Sequence, residues 1–294
     1  MLGATLVGAS PQAPGRGALS VQTTSGGPLV TPTDRLFVYS QMRTPTAHAT
    51  SVQLDGLVER ATRFSESDLR SLRHVRRLWT LECFVNTAGG PLIFTTPFEG
   101  VPIAALFSQA GVKPDARAVR VETSDGHPPF LLPISELQRP DAMLVARMGG
   151  GAVALEHGSP YTRLMIPGAG GNHLPKWVSR ITLTDEKAPE HPAPPMAGFL
   201  RPSPPQTVGS LAGVRLTGYA FAGPERVGSV ELSTDDGATY QPMPLLAQPD
   251  PYLWTTWEVT WRPPERGFYV VRVRATSQSG RKQDIPGVIA VAVR

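Results

Sequence analysis

A chain of 294 residues exceeds the usual span of about 100–200 residues for one domain, so two domains are the first expectation. Apolar residues make up 40% and charged residues 18%, a globular balance that argues against a disordered chain. The net charge of +4 comes from scattered basic residues without long runs or aromatic interleaving; this speaks against nucleic acid and suits a basic pocket for a small anion.

A single cysteine excludes a disulfide framework and a multi-cysteine zinc or iron–sulfur site. No apolar run of ~18 residues is present, so no membrane span is expected. The opening MLGATLVGASPQA is small and apolar, like the end of an export signal, but lacks a charged leading segment. It makes a periplasmic or exported protein the expectation, with a loose arm on a cytoplasmic chain as the alternative. The 31 prolines and 29 glycines predict many turns and short strands.

Residues 1–33, rich in Gly, Ser, Thr and Pro, are expected to form a disordered arm or the remnant of an export signal. Alternation predicts a strand from Ser51 to Val58. Ser65 followed by Asp68 predicts a capped helix to Leu72. The apolar run Leu78–Val85 reads as a strand with Cys83 at or just past its end. Pro102–Ala110 has helical spacing and stops at Gly111. Strands are then expected around Ala118–Thr123, Phe130–Pro133, Met143–Met148, Arg163–Pro167 and Trp177–Thr184. Seven prolines between Ala188 and Pro205 predict a stiff linker, 188–205, between a domain over 34–187 and another over 206–294. Short strands recur beyond it at Val214–Ala220, Val227–Ser233, Trp254–Trp261, Gly267–Thr276 and Gly287–Val293, the pattern of a β-sandwich.

The chain has no GxSxG elbow, GxGxxG fingerprint, P-loop or HExxH, and its six histidines lack metal-ligand spacing. Polar residues set in apolar turns remain: Cys83 and Asn86, Asp125, His157, Arg163 and Lys176. A lone cysteine is more often a small buried hydrophobe than a functional group. A thiolate nevertheless suits a soft or high-valent metal, and Arg, Lys and glycine amides suit phosphate or an oxyanion. His157 and Asp125 can hydrogen-bond a heterocycle. Residue by residue, this describes a basic, glycine-lined site with one thiol.

At these residues the sequence resembles the sulfite-oxidase family of molybdopterin enzymes, from about Leu36 to the C-terminus. Thr80-Leu-Glu-Cys83-Phe-Val-Asn86 is similar to the family's TLxCxxN. The stretch from Phe98 to Asp115 is similar to WxGVPLxxLLxxAGVxPDA, and Ser124-Asp-Gly-His before Leu132-Pro to SxDGxxxxxP. Glu156-His-Gly-Ser-Pro, Pro167-Gly and Lys176-Trp177 follow HGxP…VPG…KW in order. Later, Gly218-Tyr-Ala-Phe-Ala-Gly, Val230 to Tyr240, and Trp254, Trp257 and Trp261 resemble the family's immunoglobulin-like dimerisation domain.

The resemblance implies an α+β fold: a mixed α/β sulfite-oxidase-type molybdopterin domain followed by an immunoglobulin-like β-sandwich. It implies a molybdenum-molybdopterin cofactor with Cys83 as metal ligand and catalytic residue beside Arg163. Asn86, Asp125, His157, Arg163, Leu174 and Lys176 would hold the pterin and its phosphate. The implied reaction is oxygen-atom transfer on a small oxyanion, sulfite by default, with a sulfoxide-type reductase or a non-catalytic binding relative as alternatives. Without a CxxCH haem motif, electrons leave to a separate partner such as a cytochrome. A homodimer is implied by the second domain. Three departures stand out. Tyr39 falls where the family's early FxRNHxPxP segment carries arginine, with Arg43 nearby. Met196 falls where sulfite oxidases place tyrosine. Thr162 follows His157 where arginine is expected, and a one-residue insertion restores Arg163.

Overall fold

A computed structural model describes residues 18–21, 30–47, 49–87, 90–190, 192–201, 206–246, 248 and 250–294. The arm expected over 1–33 lies partly outside them. Within it, Ala18–Val21 forms a strand, β1, and Thr33–Arg35 a single 3-10 turn.

The first half is built on two sheets. Its strands in chain order are β2 (Ser51–Gly56), β3 (Thr62–Ser65), β4 (Val75–Glu82), β5 (Ile93–Pro102), β6 (Ala118–Thr123), β7 (Phe130–Pro133), β8 (Met143–Met148), β9 (Gly151–Ala152), β10 (Arg163–Met165) and β11 (Val178–Thr184). One sheet runs β10-β8-β5-β4, with β9 paired to β8, and the other β3-β2-β11-β6-β7, in which β2 and β11 are parallel. Three short helices attach to them: α1 (Glu66–Ser71), α2 (Ile103–Ala110) and α3 (Ile134–Leu137). Helix is thus a small part of the expected α+β fold, and sheet dominates. Ser65 caps α1 with a complete capping box to Asp68, and Gly111 ends α2 at φ 71°, as the sequence signals predict. The two sheets share one apolar core that includes Val52, Leu54, Phe98, Leu106, Val121, Leu144 and Ile181.

The sequence reading missed β5, a ten-residue strand between β4 and β8. Pro97 is the cause, since proline argues against a central strand. Here pairing with β8 begins only at Phe98, and the Pro97 carbonyl accepts from the Gly149 N–H.

The second half carries β12 (Met196–Arg201), β13 (Gln206–Gly209), β14 (Val214–Phe221), β15 (Val227–Ser233), β16 (Gln241–Met243), β17 (Thr255–Arg262), β18 (Gly267–Ser277) and β19 (Gly287–Val293). They form a sheet β1-β17-β14-β12 and a sheet β13-β19-β18-β15-β16 around a second core, with Trp257, Trp261, Tyr269 and Val271 at its centre. Strict alternation makes this possible: every second residue of β18 from Tyr269 to Ser277 is buried.

Two expectations need correction. The proline-rich stretch is not wholly a linker, because Met196–Arg201 pairs with β14; prolines flank this run, and β12 lies at the sheet edge where few ladder bonds are lost. The N-terminal arm is not wholly free either, because β1 pairs with β17 along an edge that would otherwise present unpaired backbone groups. A small third cluster of Ile93, Ala193, Met196, Tyr219, Phe221 and Trp254 forms the seam between the halves. Across it Thr80 N–H donates to Tyr252 O, and Trp254 N–H to the Thr80 hydroxyl. No helix among the described residues is long and apolar enough to cross a membrane.

Candidate active site

Four chain segments converge at one end of the first pair of sheets: the exit of β4, the β6–β7 turn, residues 155–163 leading into β10, and residues 171–177 leading into β11. Together with Phe37 to Gln41 they enclose an open cleft of about 720 Å³, including its mouth. Cys83, Asp125, His157, Arg163, Leu174 and Lys176 all line it.

The backbone at this end is unusual. Ser159, Tyr161 and Trp177 adopt positive φ without being glycine, a costly conformation that marks functional sites. Trp177 is held there by its indole N–H, which donates to Leu155 O at 2.8 Å, and by its carbonyl, which accepts from Ser124 N–H. Gly158, at φ 114°, ends the 3-10 turn Leu155–His157. A Cβ there would stand 3.1 Å from Arg163 Cβ and 3.2 Å from Lys176 Cβ, so glycine is what lets the two cations approach. Gly171 packs against the thiol-bearing strand end, where a Cβ would meet Glu82 O at 2.6 Å and Cys83 Cα at 3.0 Å.

Cys83 is the first residue past β4 and is 5% exposed. Burial pushes its thiol up, while the Val85 N–H and the Lys176 charge pull it back. Arg163 Nη1 donates to His157 O at 2.6 Å, and its buried Nε has no partner among the described residues. Burial alone lowers this guanidinium to about 10. Lys176 Nζ donates to Tyr39 O at 2.7 Å and Glu156 O at 3.0 Å; burial, then Arg163, lowers it to about 8. Burial, then Arg163 and Lys176, lowers His157 to about 4, so its imidazole is neutral near pH 7. Asp125 Oδ1 accepts from the Thr123 hydroxyl at 2.6 Å and from the His127 N–H at 3.1 Å, which fixes the carboxylate at the cleft wall.

Asn86 is the exception among the expected cofactor contacts. It is buried behind the wall and does not line the cleft; its amide bonds Glu82, Met196 and Leu92 instead. Arg43 is exposed and also outside the cleft, whereas Tyr39 lines it. Met196 is buried in the seam. Residue-by-residue reading missed the aromatic part of the site. His127 stacks on Phe130 at 4.3 Å, and Tyr39 meets Phe84 edge-on at 6.3 Å. No periodic spacing marks these rings, because Tyr39 and Phe84 come from separate segments and His127 lies in the turn that leads into Phe130.

The donor set fits a metal that brings its own ligands. Among the described residues no cluster of three or more His, Cys, Asp or Glu side chains could hold a metal ion; the buried Cys83 thiol at the cleft is a single soft donor. The cations beside it, with the partnerless Arg163 Nε, ask for an anion such as a phosphate.

The family described as "Oxidoreductase molybdopterin binding domain" matches residues 41–192. The chain belongs to that family. Its cofactor is molybdenum-molybdopterin. Among solved structures, the sulfane dehydrogenase SoxCD from Paracoccus pantotrophus has a TM-score of 0.72 at 22% identity, over 95% of this chain and 80% of that one. The likeness shows a sulfite-oxidase-type fold. Fibronectin(III)-like modules of Clostridium thermocellum CbhA also match, at TM-score 0.26 and 12% identity, over 75% of this chain and 94% of theirs. No curated protein matches the sequence.

Proposed function

We propose that this molybdopterin oxidoreductase transfers an oxygen atom on a small oxyanion, sulfite by family default, and passes two electrons to a separate carrier such as a cytochrome. The observation that carries the reading is the convergence of the chain's one thiol with Arg163, Lys176 and His157 in a single cleft. The similar solved structure is a sulfane dehydrogenase, which points to sulfur chemistry as well.

Bound molybdenum-molybdopterin supplies the metal's oxo and dithiolene chemistry, and the protein supplies orientation and charge. Cys83 would hold the metal through its thiolate, and the Lys176 charge favours that thiolate. Arg163 and Lys176, with their lowered pKa values, still carry charge at pH 7 and hold an anionic phosphate. Neutral His157 presents one donor and one acceptor, and Asp125 accepts from the N–H groups of a heterocycle. Leu174 lines the cleft and would offer apolar surface to the ring system.

The domain reading extends this proposal. The molybdopterin domain covers 34–187, and 206–294 is an immunoglobulin-like sandwich through which two copies pair, with β12 of the intervening stretch already part of that sandwich's sheet. The second core shared by two sheets supports the sandwich. Export to the periplasm belongs to the same proposal and rests on the apolar N-terminus.

A second reading, reduction of a sulfoxide, is favoured by one observation. Tyr39, 38% exposed, stands in the cleft with Phe84 where the resemblance expects arginine, so a neutral substrate finds aromatic surface there. Metal analysis and pterin fluorescence on the loaded protein come first, with about one molybdenum and one pterin per chain expected. Paired assays then separate the readings: sulfite with an artificial acceptor, and a sulfoxide with a reduced dye. Turnover of sulfite supports the first and turnover of the sulfoxide the second. A well-folded protein that takes up neither metal nor pterin sinks both.

A further inference from the structure

Asn86 sits three residues beyond the thiol and outside the cleft, yet its side chain uses both its donor and its acceptor. The loop from Cys83 to Leu92 is closed at its base, where Cys83 N–H donates to Leu92 O at 2.9 Å. Asn86 completes the closure from inside. Its backbone N–H donates to Cys83 O at 2.9 Å, and its Oδ1 accepts from Leu92 N–H at 2.9 Å. Cys83 is thereby gripped at both its N–H and its C=O, which fixes the direction of its side chain.

The same amide reaches outward. Nδ2 donates to Glu82 Oε1 at 3.3 Å and to Met196 Sδ at 3.4 Å. The Tyr219 hydroxyl donates to that sulfur at 3.8 Å. Met196 opens β12 and Tyr219 lies in β14, and both belong to the cluster that joins the two halves. A continuous set of buried polar contacts thus leads from the thiol's loop, through one amide, into the second half.

We infer that Asn86 is a positioning residue: it holds the Cys83 loop closed and ties the direction of the thiol to β12 and β14, without touching the cofactor. The inference rests on Cys83 being the metal ligand, but its consequence for the thiol is independent of metal. Truncating Asn86 leaves the partly buried Leu92 N–H and the buried Glu82 without their partner, and the loop opens more often.

The test uses the single thiol of the full chain. Cys83 is alkylated with iodoacetamide in metal-free wild type, Asn86→Ala and Met196→Leu; metal, pterin and the metal–thiolate absorption band are read in the loaded proteins. Asn86→Ala is expected to react at least about tenfold faster, as the loss of one buried hydrogen-bond partner implies, with a displaced band and unchanged pterin content. Met196→Leu keeps the volume but removes the sulfur acceptor, so a rise of about threefold is expected, and it carries the test if Asn86→Ala does not fold. Wild-type alkylation rates in whichever variants fold overturn the inference. Loss of pterin in Asn86→Ala at an unchanged rate makes Asn86 a cofactor contact instead. A wild type that binds no molybdenum defeats the proposed function, yet the alkylation rates still decide the role of Asn86.

Discussion

The two halves follow one plan, a pair of sheets around an apolar core, and they differ in what they do with buried polar groups. In the second half the groups left without a partner among the described residues are the indole N–H groups of Trp254 and Trp261, and the buried carboxylates and amides are mostly saturated. Gln283 is the clearest case: its Oε1 accepts from Ala197 and Ala275 N–H, and its Nε2 donates to Ala197 and Ile285 carbonyls. Glu258 takes both arms of Arg215. In the first half, Arg163 Nε and Glu82 Oε2 are buried without a partner, and burial raises Glu82 to about 8. Three of the four non-glycine residues at positive φ also lie there, beside the cleft; the fourth, Asp236, is in a turn. A half that only has to pack pairs its carboxylates and amides, whereas a half built for a ligand keeps a guanidinium and a carboxylate in reserve.

The sharpest way to break this contrast is Cys83→Ser. If the cleft half exists for its ligand, activity should fall by more than about 100-fold, beyond what outer-shell changes cost, while the melting temperature barely moves. Steady-state rates and a thermal scan read both. Retained activity would remove Cys83 from the mechanism.

The converse experiment belongs to the second half. Trp257 is 1% exposed, packs edge-on against Phe199 at 5.4 Å and donates its indole N–H to Tyr219 O. Trp257→Ala should cost about 3–5 kcal/mol in urea unfolding. If the halves divide their labour as argued, the folded fraction retains its pterin. Pterin loss in step with destabilisation would show instead that the cleft depends on the second core.

Much of the packing half was legible in the sequence, because period-2 alternation and turn residues act locally: β14, β15, β18 and β19 lie close to their expected spans. The cleft half was legible in another way. Cys83, Asp125, His157, Arg163, Leu174 and Lys176 stood out through ordered motifs, and all six line one cleft. What could not be read was whatever depends on three-dimensional closure. Pro97 concealed β5 because its tolerance depends on where β8 begins. Asn86 read as a cofactor contact because nearness in sequence says nothing about which side of a wall an amide faces. The Tyr39–Phe84 and His127–Phe130 pairs join residues that share no periodic face.

A smaller effect sharpens the electrostatic side of the contrast. Arg163→Met removes one of the two cations that hold His157 down and one anchor for an anion. Pterin affinity should drop by about 10–100-fold, the range for groups that support a bound metal centre. In the metal-free protein the imidazole should titrate closer to its usual range, as an NMR titration of its ring protons can follow. An unmoved His157 would mean that desolvation and Lys176, not Arg163, depress it.

The smallest effect concerns stability against pH. The folded-state pKa of His157 is about 4, below the ordinary 6.5, so between those values the unfolded chain binds more protons than the folded one. Stability contributed by the neutral imidazole is therefore fully present above about pH 6.5 and is lost as the pH falls toward 4. Glu82, raised to about 8, acts in the opposite sense across pH 4.5–8, so urea unfolding of the metal-free protein should show the histidine's share as the difference between wild type and His157→Gln, which cannot take up the proton. The control lies in the second half. Burial of Glu225 within its bonds to Ser279 and Arg281 is slight, and its pKa of about 2 places its own loss of stability below pH 4.5, outside most of the histidine window. A decline that persists in His157→Gln above pH 4.5 would trace to other groups, and the cleft would lose its claim to the acid sensitivity of the fold.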